Sequence, residues 1–380
     1  MIPSLRNSLL SVQLSNDGDN VLNSNSSAEK EYRARIFNIF QGLMGHLGAS
    51  EMHYFTPKLF WDNLKLSGAG INVREQQDAM EYYSQIVDTL DEAMKDHKQP
   101  SVINQYLMGA FSDQKICKDC PHRYTREEQF SSISVDVKSQ HSLEESLAQF
   151  VKGDLLDGEN KYFCEECQVK VACLKRLCIG KLPPYICIQE IVDKYLYNSV
   201  LCKIEFAIFL TSEKLKRFDY DWEREEAIKF NDYFQFPRQL DMRPYTVDGI
   251  DETDSAQQAL YRLKGIVIHS GQASGGHYYS LIRDKGKWLK FDDCDVTEIE
   301  LTDEELESQC FGGDQGEIWD NRRGNYRRGR RWWNAYLLFY ESIDEDINES
   351  VNDISQGLSD MSVNSSNSES FCVPQVKLFI

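Results

Sequence analysis

Apolar positions in the first quarter of the chain recur every three or four residues. That spacing places them on one face of a helix and predicts two amphipathic helices. The first helix is expected to end at Gly48, and the second to begin near Asp78. The core-facing positions are expected to be Ile36, Phe40, Leu43 and Leu47 in the first helix and Tyr83, Ile86, Val87, Leu90 and Met94 in the second.

Farther along the chain the pattern changes to alternation of apolar and polar residues, which predicts strands. The alternating runs lie at residues 133–137 and around Tyr261, Val267, Tyr279 and Trp288, and a short apolar run follows at residues 335–340. Capping-box patterns at Ser142 to Glu145 and at Thr302 to Glu305 indicate short helices between strands. Because helices come first and strands dominate later, the order predicts an α+β fold rather than alternating βαβ units.

Charge and composition exclude some classes of function. The chain has 380 residues and a net charge of −19, so general binding to nucleic acid or to an anionic membrane is not expected. An acidic surface suits a basic partner such as an Arg-containing peptide tail, although solubility alone explains it equally well. Residues 2–12 lack the pattern of a signal peptide, and Lys203 and Glu205 interrupt the longest apolar stretch. We therefore expect a cytoplasmic protein with no nucleic acid or membrane partner.

The chain contains eleven cysteines, four of which form two Cys-x-x-Cys pairs. Each pair can lie on a tight turn, and two such turns brought together make a tetrahedral, structural zinc site. The predicted metal ligands are Cys117, Cys120, Cys164 and Cys167. The alternative is a pair of buried or redox-active cysteines, but the redox interpretation lacks its usual βαβ context. Cys173, Cys178 and Cys187 lie in apolar surroundings and are expected in the core.

A candidate catalytic half-site follows in the strand-rich region. His277 comes directly after Gly275-Gly276, and Asp292 and Asp293 follow fifteen residues later at the end of an alternating run. A histidine oriented by a carboxylate is the base half of a nucleophilic triad. Asp292 and Asp293 are both candidates for the orienting acid, and only one of them is expected to reach the imidazole because adjacent strand residues face opposite ways. The alternative is a structural histidine beside a solvated turn.

Several motifs along the chain resemble those of the ubiquitin-specific proteases, and their exact residues are most similar to the fat-facets-like branch of that family. The motifs are GGHYY at residues 275–279, FDD at 291–293, WNAYLLFY at 333–340, QQDAMEY at 76–82, LKRF at 215–218 and the two Cys-x-x-Cys pairs. The resemblance covers roughly residues 1–343, apart from one insert. It implies a papain-like α+β fold with a helical thumb, a palm sheet and zinc-ribbon fingers.

The resemblance also implies a function. The expected activity is thiol-dependent hydrolysis of the isopeptide bond after the C-terminal glycine of ubiquitin, with ubiquitin and ubiquitinated proteins as partners. His277 would be the general base and Asp292 its orienting acid. Gln77 and Asp78 would bind substrate, with Asp78 facing the Arg-bearing ubiquitin tail. The simpler interpretation of Asp78 is a helix N-cap, and both roles can coexist.

The sequence departs from the family pattern at the nucleophile. The family carries its cysteine in an N-terminal Cys box at a helix start, where the helix lowers the thiol pKa, and we find no such segment. Met1 is therefore expected to be an internal methionine of an N-terminally truncated chain that is inactive alone. Cys294 follows a strand and lacks the activating helix dipole. The alternative function is a catalytically dead ubiquitin-binding module.

A second departure concerns domain organisation. The strand at residues 183–189 should continue directly into LKRF, but residues 190–214 intervene. We expect these residues to be a translated intron rather than a tolerated hairpin, because an insertion into a paired strand leaves many backbone groups needing new partners. The expected domains are a partial catalytic domain at residues 1–343 and a disordered, acidic, Ser/Asn-rich tail at 344–380.

Overall fold

The computed structural model of the chain describes residues 2–14, 24–49, 55–66, 68–72, 77–191, 218–221, 226–251, 259–273, 275–320 and 325–343. Two compact units make up the chain, one formed by Met1–Leu107 with Ile343–Ile380 and the other by Met108–Ser342. The predicted tail at residues 344–380 lies outside the described residues. Each unit is described by itself.

The first unit is mostly helical. Its helices are α1 (Pro3–Ser11), α2 (Ser24–Ala49), α3 (Lys58–Asn63), α4 (Ala79–Asp96) and α5 (Val102–Tyr106), and its strands are β1 (Lys65–Leu66) and β2 (Ala69–Gly70). Helix α2 packs against α3 and α4, and α1 packs against α2 and α5. The strands pair as a short antiparallel hairpin.

The two helices predicted in this unit are present. Helix α4 begins where expected, because the Asp78 side chain accepts a hydrogen bond from the Glu81 backbone N–H at 2.9 Å. The predicted inward positions of α2 are buried at Ile36, Phe40 and Leu43. The prediction was wrong for Leu47, which is 51% exposed. Helical periodicity assigns a residue to a face, but only a neighbouring element can bury it, and Leu47 lies in the last turn of α2.

The second unit contains most of the strands. Those of its first part are β3 (Gly109–Cys117), β4 (Arg123–Phe130), β5 (Ile133–Asp136), β6 (Asp154–Leu156), β7 (Tyr162–Cys164), β8 (Val169–Val171), β9 (Cys173–Lys181) and β10 (Tyr185–Ile191). Those of its second part are β11 (Phe218–Asp221), β12 (Glu226–Lys229), β13 (Gln239–Asp241), β14 (Leu260–Gln272), β15 (Gly275–Asp284), β16 (Lys287–Asp292), β17 (Asp295–Ile299), β18 (Asp314–Asp320), β19 (Asn325–Arg330) and β20 (Trp333–Ser342). The helices are α6 (Leu143–Val151), α7 (Val247–Ile250) and α8 (Asp303–Cys310), and 3-10 turns occur at Gly158–Asn160 and Arg243–Tyr245.

Two sheets organise this unit. We call the four strands in the order β4-β3-β9-β6, with the separate β7–β8 hairpin, the finger region. The palm sheet has eight strands, seven in the order β17-β16-β15-β14-β20-β10-β5, with β13 paired to β14. The long central strands β14 and β20 are antiparallel, and each buries five consecutive residues, 265–269 in β14 and 334–338 in β20, so both faces of the sheet are covered there. The α+β prediction is confirmed, with helices early in the chain and mainly antiparallel strands later.

Strand β10 bears on the predicted insert. It pairs antiparallel with β20 and parallel with β5, where Glu190 and Ile191 lie opposite Val135 and Asp136. The first two residues of the predicted insert therefore continue the palm strand. Residues 192–214 lie outside the described residues, so their origin as an intron stays a prediction.

Both predicted caps in this unit are found. Thr302 and Glu305 form the full reciprocal capping box at the start of α8. Ser142 caps α6 by accepting from the Glu145 N–H at 3.2 Å, while the Glu145 carboxylate accepts from the His141 N–H instead. Across the described ranges we find no helix with the length and apolar character needed to cross a bilayer.

Candidate functional site

The Gly-Gly-His motif lies at the start of β15, where that strand pairs tightly with β14. Gly271 adopts a φ of +128°, and a Cβ there would lie 2.6 Å from the Gly276 Cα. A Cβ at Gly276 would overlap the His269 imidazole. Both positions therefore require glycine. The close approach fixes the backbone immediately before His277, which lies opposite Ser270 in the ladder.

His277 meets Asp292 across the next strand pair. Asp292 is the last residue of β16, and its Oδ1 is hydrogen-bonded to the His277 Nε2. In the neutral imidazole that donates this hydrogen bond from Nε2, Nδ1 remains as the proton acceptor. The two side chains are 32% and 31% exposed, so a reacting group can reach them. The structure thus brings together the predicted base and its first-choice orienting acid.

Asp293, the second candidate, lies just beyond the strand. It occupies the two-residue turn between β16 and β17 with a φ of +56°, and it is exposed. A carboxylate oxygen of Asp293 lies within 4.8 Å of the ligand atoms of His277 and Asp292. The expectation that strand alternation turns Asp293 away was wrong, because the strand ends at Asp292 and the turn does not follow that alternation.

Asp292 is held in its ionised form. Its burial opposes ionisation, but hydrogen bonds from His277 and Lys290 outweigh burial and keep the pKa of Asp292 below its usual value. The Lys290 Nζ lies 2.9 Å from the Asp292 Oδ2. The carboxylate therefore accepts from a different partner on each oxygen.

A second histidine lies behind the motif. His269 is buried, and its ring centroid lies 4.7 Å from that of Tyr278, with the two ring planes tilted at 59°. Burial, together with the charges of Lys229 and His277, lowers the pKa of His269 to about 3, so the ring is neutral. The Lys229 Nζ donates to the backbone oxygens of His269 and Trp332 at 2.8 and 2.9 Å. This ammonium ties β14 to the start of β20 beside the Gly-Gly-His turn.

Among the described cysteines outside the two Cys-x-x-Cys pairs, those at positions 173, 178, 187 and 294 do not have the surroundings of an activated thiol. Cys294 is exposed in the same turn as Asp293, with no helix beginning there. Cys173, Cys178 and Cys187 are buried as predicted, and burial raises the pKa of each thiol. High thiol pKa values disfavour the nucleophilic thiolate.

The predicted substrate-binding residues Gln77 and Asp78 belong to the first unit. Gln77 is half-buried and directly precedes the cap of α4. The N-cap interpretation of Asp78 is present as a hydrogen bond, through Oδ1. A role toward a substrate remains a prediction for both residues.

The two Cys-x-x-Cys turns meet in the finger region. Ligand atoms of Cys120, His122, Cys164 and Cys167 all lie within 4.8 Å of one another, and these residues could hold a metal ion. Cys117, the remaining predicted ligand, is buried in the same cluster. The His122 Nδ1 lies 3.4 Å from the Cys164 Sγ and 3.3 Å from the Cys167 Sγ. The cluster therefore has five donors, one more than was predicted.

The donor set fits zinc. Hydrogen bonding, first from the Tyr124 hydroxyl, lowers the pKa of Cys164 to about 6, so this thiol ionises readily. Burial and neighbouring thiols raise the pKa of Cys117 to about 12, and the thiols of Cys120 and Cys164 help raise that of Cys167 to about 11. A bound cation would offset this mutual repulsion and ionise the remaining thiols. Thiolate and imidazole are the ligands that structural zinc sites use.

Sequence reasoning missed three residues of these sites. His122 follows the first Cys-x-x-Cys pair by one residue, a spacing that could have been noticed. Lys290 stands two residues before Asp292, which puts it on the same strand face, and this too was readable. Lys229 lies far from both motifs along the chain, and only the folded sheet brings it to the Gly-Gly-His turn.

Comparison with known proteins identifies the family and several relatives of the chain. Residues 1–340 match the family described as "Ubiquitin carboxyl-terminal hydrolase". The chain is 46% identical over 352 residues to mouse "Ubiquitin carboxyl-terminal hydrolase 9X", which covers 84% of this chain and 13% of that protein. It is 46% identical over 338 residues to the Drosophila melanogaster "Probable ubiquitin carboxyl-terminal hydrolase FAF", covering 83% and 11%.

A human relative gives the same result. The chain is 43% identical over 406 residues to human "Ubiquitin carboxyl-terminal hydrolase 9Y", which covers 90% of this chain and 15% of that protein. The chain thus spans less than a sixth of the length of these relatives.

Proposed function

Because the chain belongs to the ubiquitin carboxyl-terminal hydrolase family, we propose that His277 and Asp292 are the base and orienting acid of a thiol-dependent deubiquitinase. The observation that carries the proposal is the hydrogen bond between the His277 Nε2 and the Asp292 Oδ1. It joins the start of β15 to the end of β16 in the palm sheet. It leaves the His277 Nδ1 to take a proton from a thiol.

The chemistry follows from these roles. The Nδ1 of His277 accepts the proton of a cysteine thiol, and the thiolate attacks the carbonyl carbon of the isopeptide bond after the last glycine of ubiquitin. His277 then returns the proton to the departing lysine amine, leaving ubiquitin as a thioester. A water molecule, deprotonated by His277, hydrolyses the thioester and regenerates the thiol. Asp292 holds the tautomer throughout and stabilises the imidazolium.

The first unit is proposed to bind the ubiquitin tail. Asp78 uses Oδ1 to cap α4, and a carboxylate has acceptor capacity for more than one donor. A guanidinium of the basic tail is a suitable second donor for it. Gln77 adjoins it at the start of the same helix. We extend the proposal to residues 1–343 as a catalytic domain, with ubiquitinated proteins as substrates and the cytoplasm as location.

A structural zinc ion in the finger region completes the proposal. We assign its ligands to Cys117, Cys120, Cys164 and Cys167, with His122 hydrogen-bonded to the sulfurs. Four thiolates leave no open position on the metal, so its contribution is to folding.

The test is hydrolysis of a fluorogenic ubiquitin C-terminal amide. The measured protein carries a family Cys box joined upstream, with residues 192–214 removed so that the paired residues of β10 are kept and the strand is rejoined with the LKRF motif. We expect turnover that His277→Ala removes. Turnover that is equal with and without His277 would contradict the proposed base. The unmodified chain, treated with a ubiquitin vinyl sulfone, is expected to remain unlabelled, and labelling at Cys294 would show that the nucleophile had been misassigned.

A catalytically dead ubiquitin-binding module is the second candidate function. The observation that favours it is the exposed turn of Cys294 and the raised pKa of the buried thiols outside the finger region. Titration of labelled ubiquitin into the unmodified chain tests it. Binding combined with no turnover in the Cys-box variant would favour this module over the enzyme.

A further inference from the structure

Four functional side chains share one face of the neighbouring strands β15 and β16 in the palm sheet. His277 and Tyr279 alternate along β15, and Lys290 and Asp292 alternate along β16. Residues two apart on a strand point the same way, and β15 and β16 are antiparallel neighbours. The four side chains therefore form one cluster.

The contacts in this cluster form a closed ring of four side chains that starts and ends at His277. The Lys290 Nζ is 2.9 Å from the Asp292 Oδ2 and 4.6 Å from the centre of the Tyr279 ring. The Tyr279 ring lies roughly parallel to the His277 ring, at 29°, with centroids 6.4 Å apart. The Asp292 Oδ1 completes the chain at the His277 Nε2.

We propose that Lys290 is a positioning residue, which holds one oxygen of Asp292 so that the other faces His277. The inference rests on the proposed function of the His277–Asp292 pair and deepens it. Without a partner on Oδ2, the carboxylate is free to rotate about its χ2 torsion, which is a broad torsion in aspartate. The Lys290 ammonium removes that freedom, and the Tyr279 ring face attracts the same cation.

The charges around Asp292 make a lysine necessary here. On β17, Asp295 lies directly opposite Asp292 in the ladder, and Asp293 follows in the turn. His277 and Tyr279 face it from β15, and the Cys310 thiol from α8 acts on Tyr279. Carboxylates that share a site disfavour one another's ionisation. Lys290 is the cation that bonds Asp292 within this acidic group, so its loss would favour the protonated carboxyl, which is a poorer acceptor for His277.

A matched control lies on the same strand. Lys287 is three residues earlier, pairs with Glu298 at 2.9 Å, and is 65% exposed. Lys287→Gln therefore removes the same charge from β16 without touching Asp292. Lys290→Gln removes the contact, and Lys290→Arg keeps a cation that can reach the carboxylate.

The experiment is a carboxyl ¹³C NMR titration of Asp292 in the unmodified chain and these three variants, with amide spectra to show that each is folded. We expect Lys290→Gln to raise the titration midpoint of Asp292 by about one pH unit, as removal of an adjacent opposite charge does. Lys290→Arg should restore most of the shift, and Lys287→Gln should leave the midpoint unchanged. Equal midpoints in Lys290→Gln and Lys287→Gln would overturn the proposal.

A kinetic measurement adds a second readout. It uses the protein with a family Cys box joined upstream, which we call the Cys-box variant. Lys290→Gln should lower kcat about tenfold with little change in KM, because it disturbs the orientation of the base rather than substrate binding, and Lys290→Arg should restore most of the activity. An unchanged kcat in Lys290→Gln, or an equal loss in Lys287→Gln, would overturn the positioning role. The titration needs no turnover, so a shifted midpoint in a protein that never hydrolyses ubiquitin would support the role of Lys290 while contradicting the proposed enzyme.

Discussion

The palm site and the finger cluster are assembled in opposite ways. His277 and Asp292 lie 15 residues apart on adjoining antiparallel strands, and the register of one short hairpin brings them together. The donors of the finger cluster come from two separate turns, with His122 lying 42 residues from Cys164. The palm site is therefore a local product of strand pairing, and the finger cluster depends on two turns meeting.

The two regions also differ in how their charges are satisfied. In the palm, Asp292 has a cationic or hydrogen-bonding partner for each oxygen, so its ionised form is stabilised by the chain itself. In the finger cluster, thiols face other thiols: burial is the main cause of the raised pKa of Cys117, the hydrogen bond with Cys120 is the main cause of the raised pKa of Cys167, and repulsion between the thiols adds to both. The comparison teaches that the charge of Asp292 is balanced by groups of the protein itself, whereas the thiols of the cluster need an external cation for full ionisation.

The largest expected effect tests the dependence of the finger cluster on metal. Cys164→Ala should reduce bound zinc from one equivalent to none and unfold the β7–β8 hairpin, because structural zinc contributes folding energy directly. Metal analysis of chelator-free protein and amide NMR spectra measure the two effects. Cys294→Ala, at an exposed thiol outside the cluster, is the control and should keep its zinc. Full zinc occupancy in Cys164→Ala would contradict the ligand assignment.

The second-largest expected effect tests whether the palm site works independently of the finger cluster. His277→Ala should lower kcat for ubiquitin amide hydrolysis in the Cys-box variant by about 10²- to 10⁴-fold, the usual contribution of a general base. Zinc content and thermal unfolding should stay close to those of the parent, since the two sites share no residue. If His277→Ala also released zinc, the two regions would not be independent.

A smaller effect separates the two candidate acids. Asp292→Asn should lower kcat about 10- to 100-fold more than Asp293→Asn, because the hydrogen bond from Asp292 to the His277 Nε2 sets the imidazole tautomer. Asp293→Asn is also tolerated by the backbone, since asparagine readily adopts the positive φ of that turn. Steady-state kinetics of both variants decide the matter. Greater sensitivity at Asp293 would keep the pair mechanism but change its acid.

The local character of the palm site explains why the sequence predicted so much of it. Alternation and the order Gly-Gly-His then Asp-Asp indicated a histidine with a nearby acid, and the resemblance to the family selected Asp292 as the partner of His277. Alternation failed at Asp293, because the position at which the ladder ends depends on the turn and on β17. In the same way, helical spacing placed Ile36 correctly and Leu47 wrongly, since burial depends on a neighbour that spacing does not encode.

Contacts between distant segments were beyond such reasoning. The contacts from Lys229 to the backbone of His269 and Trp332 join β12, β14 and β20, and no periodicity relates those strands. The two Cys-x-x-Cys pairs were an exception, because thiols at that spacing imply a shared metal even when the fold is unknown. The position of His122 beside the first pair made it a readable candidate for the fifth donor, but only the folded turn shows that its ring reaches the sulfurs.

That fifth donor, His122, gives the smallest predicted effect and the sharpest test of the comparison. If four cysteines bind zinc and His122 only hydrogen-bonds their sulfurs, His122→Ala should weaken zinc affinity about 10- to 100-fold, which is typical for a partner of the ligands. Competition with a chromophoric chelator measures this change. Cys117→Ala should instead abolish stoichiometric binding at the same chelator concentration.

The reverse ranking would carry a different conclusion. If His122→Ala lost the metal and Cys117→Ala kept it, the ion would be held by His122 and three cysteines. These are the four residues whose ligand atoms all lie within 4.8 Å of one another. Zinc affinities of the His122→Ala and Cys117→Ala variants, measured side by side with the same chelator, distinguish the two ligand sets.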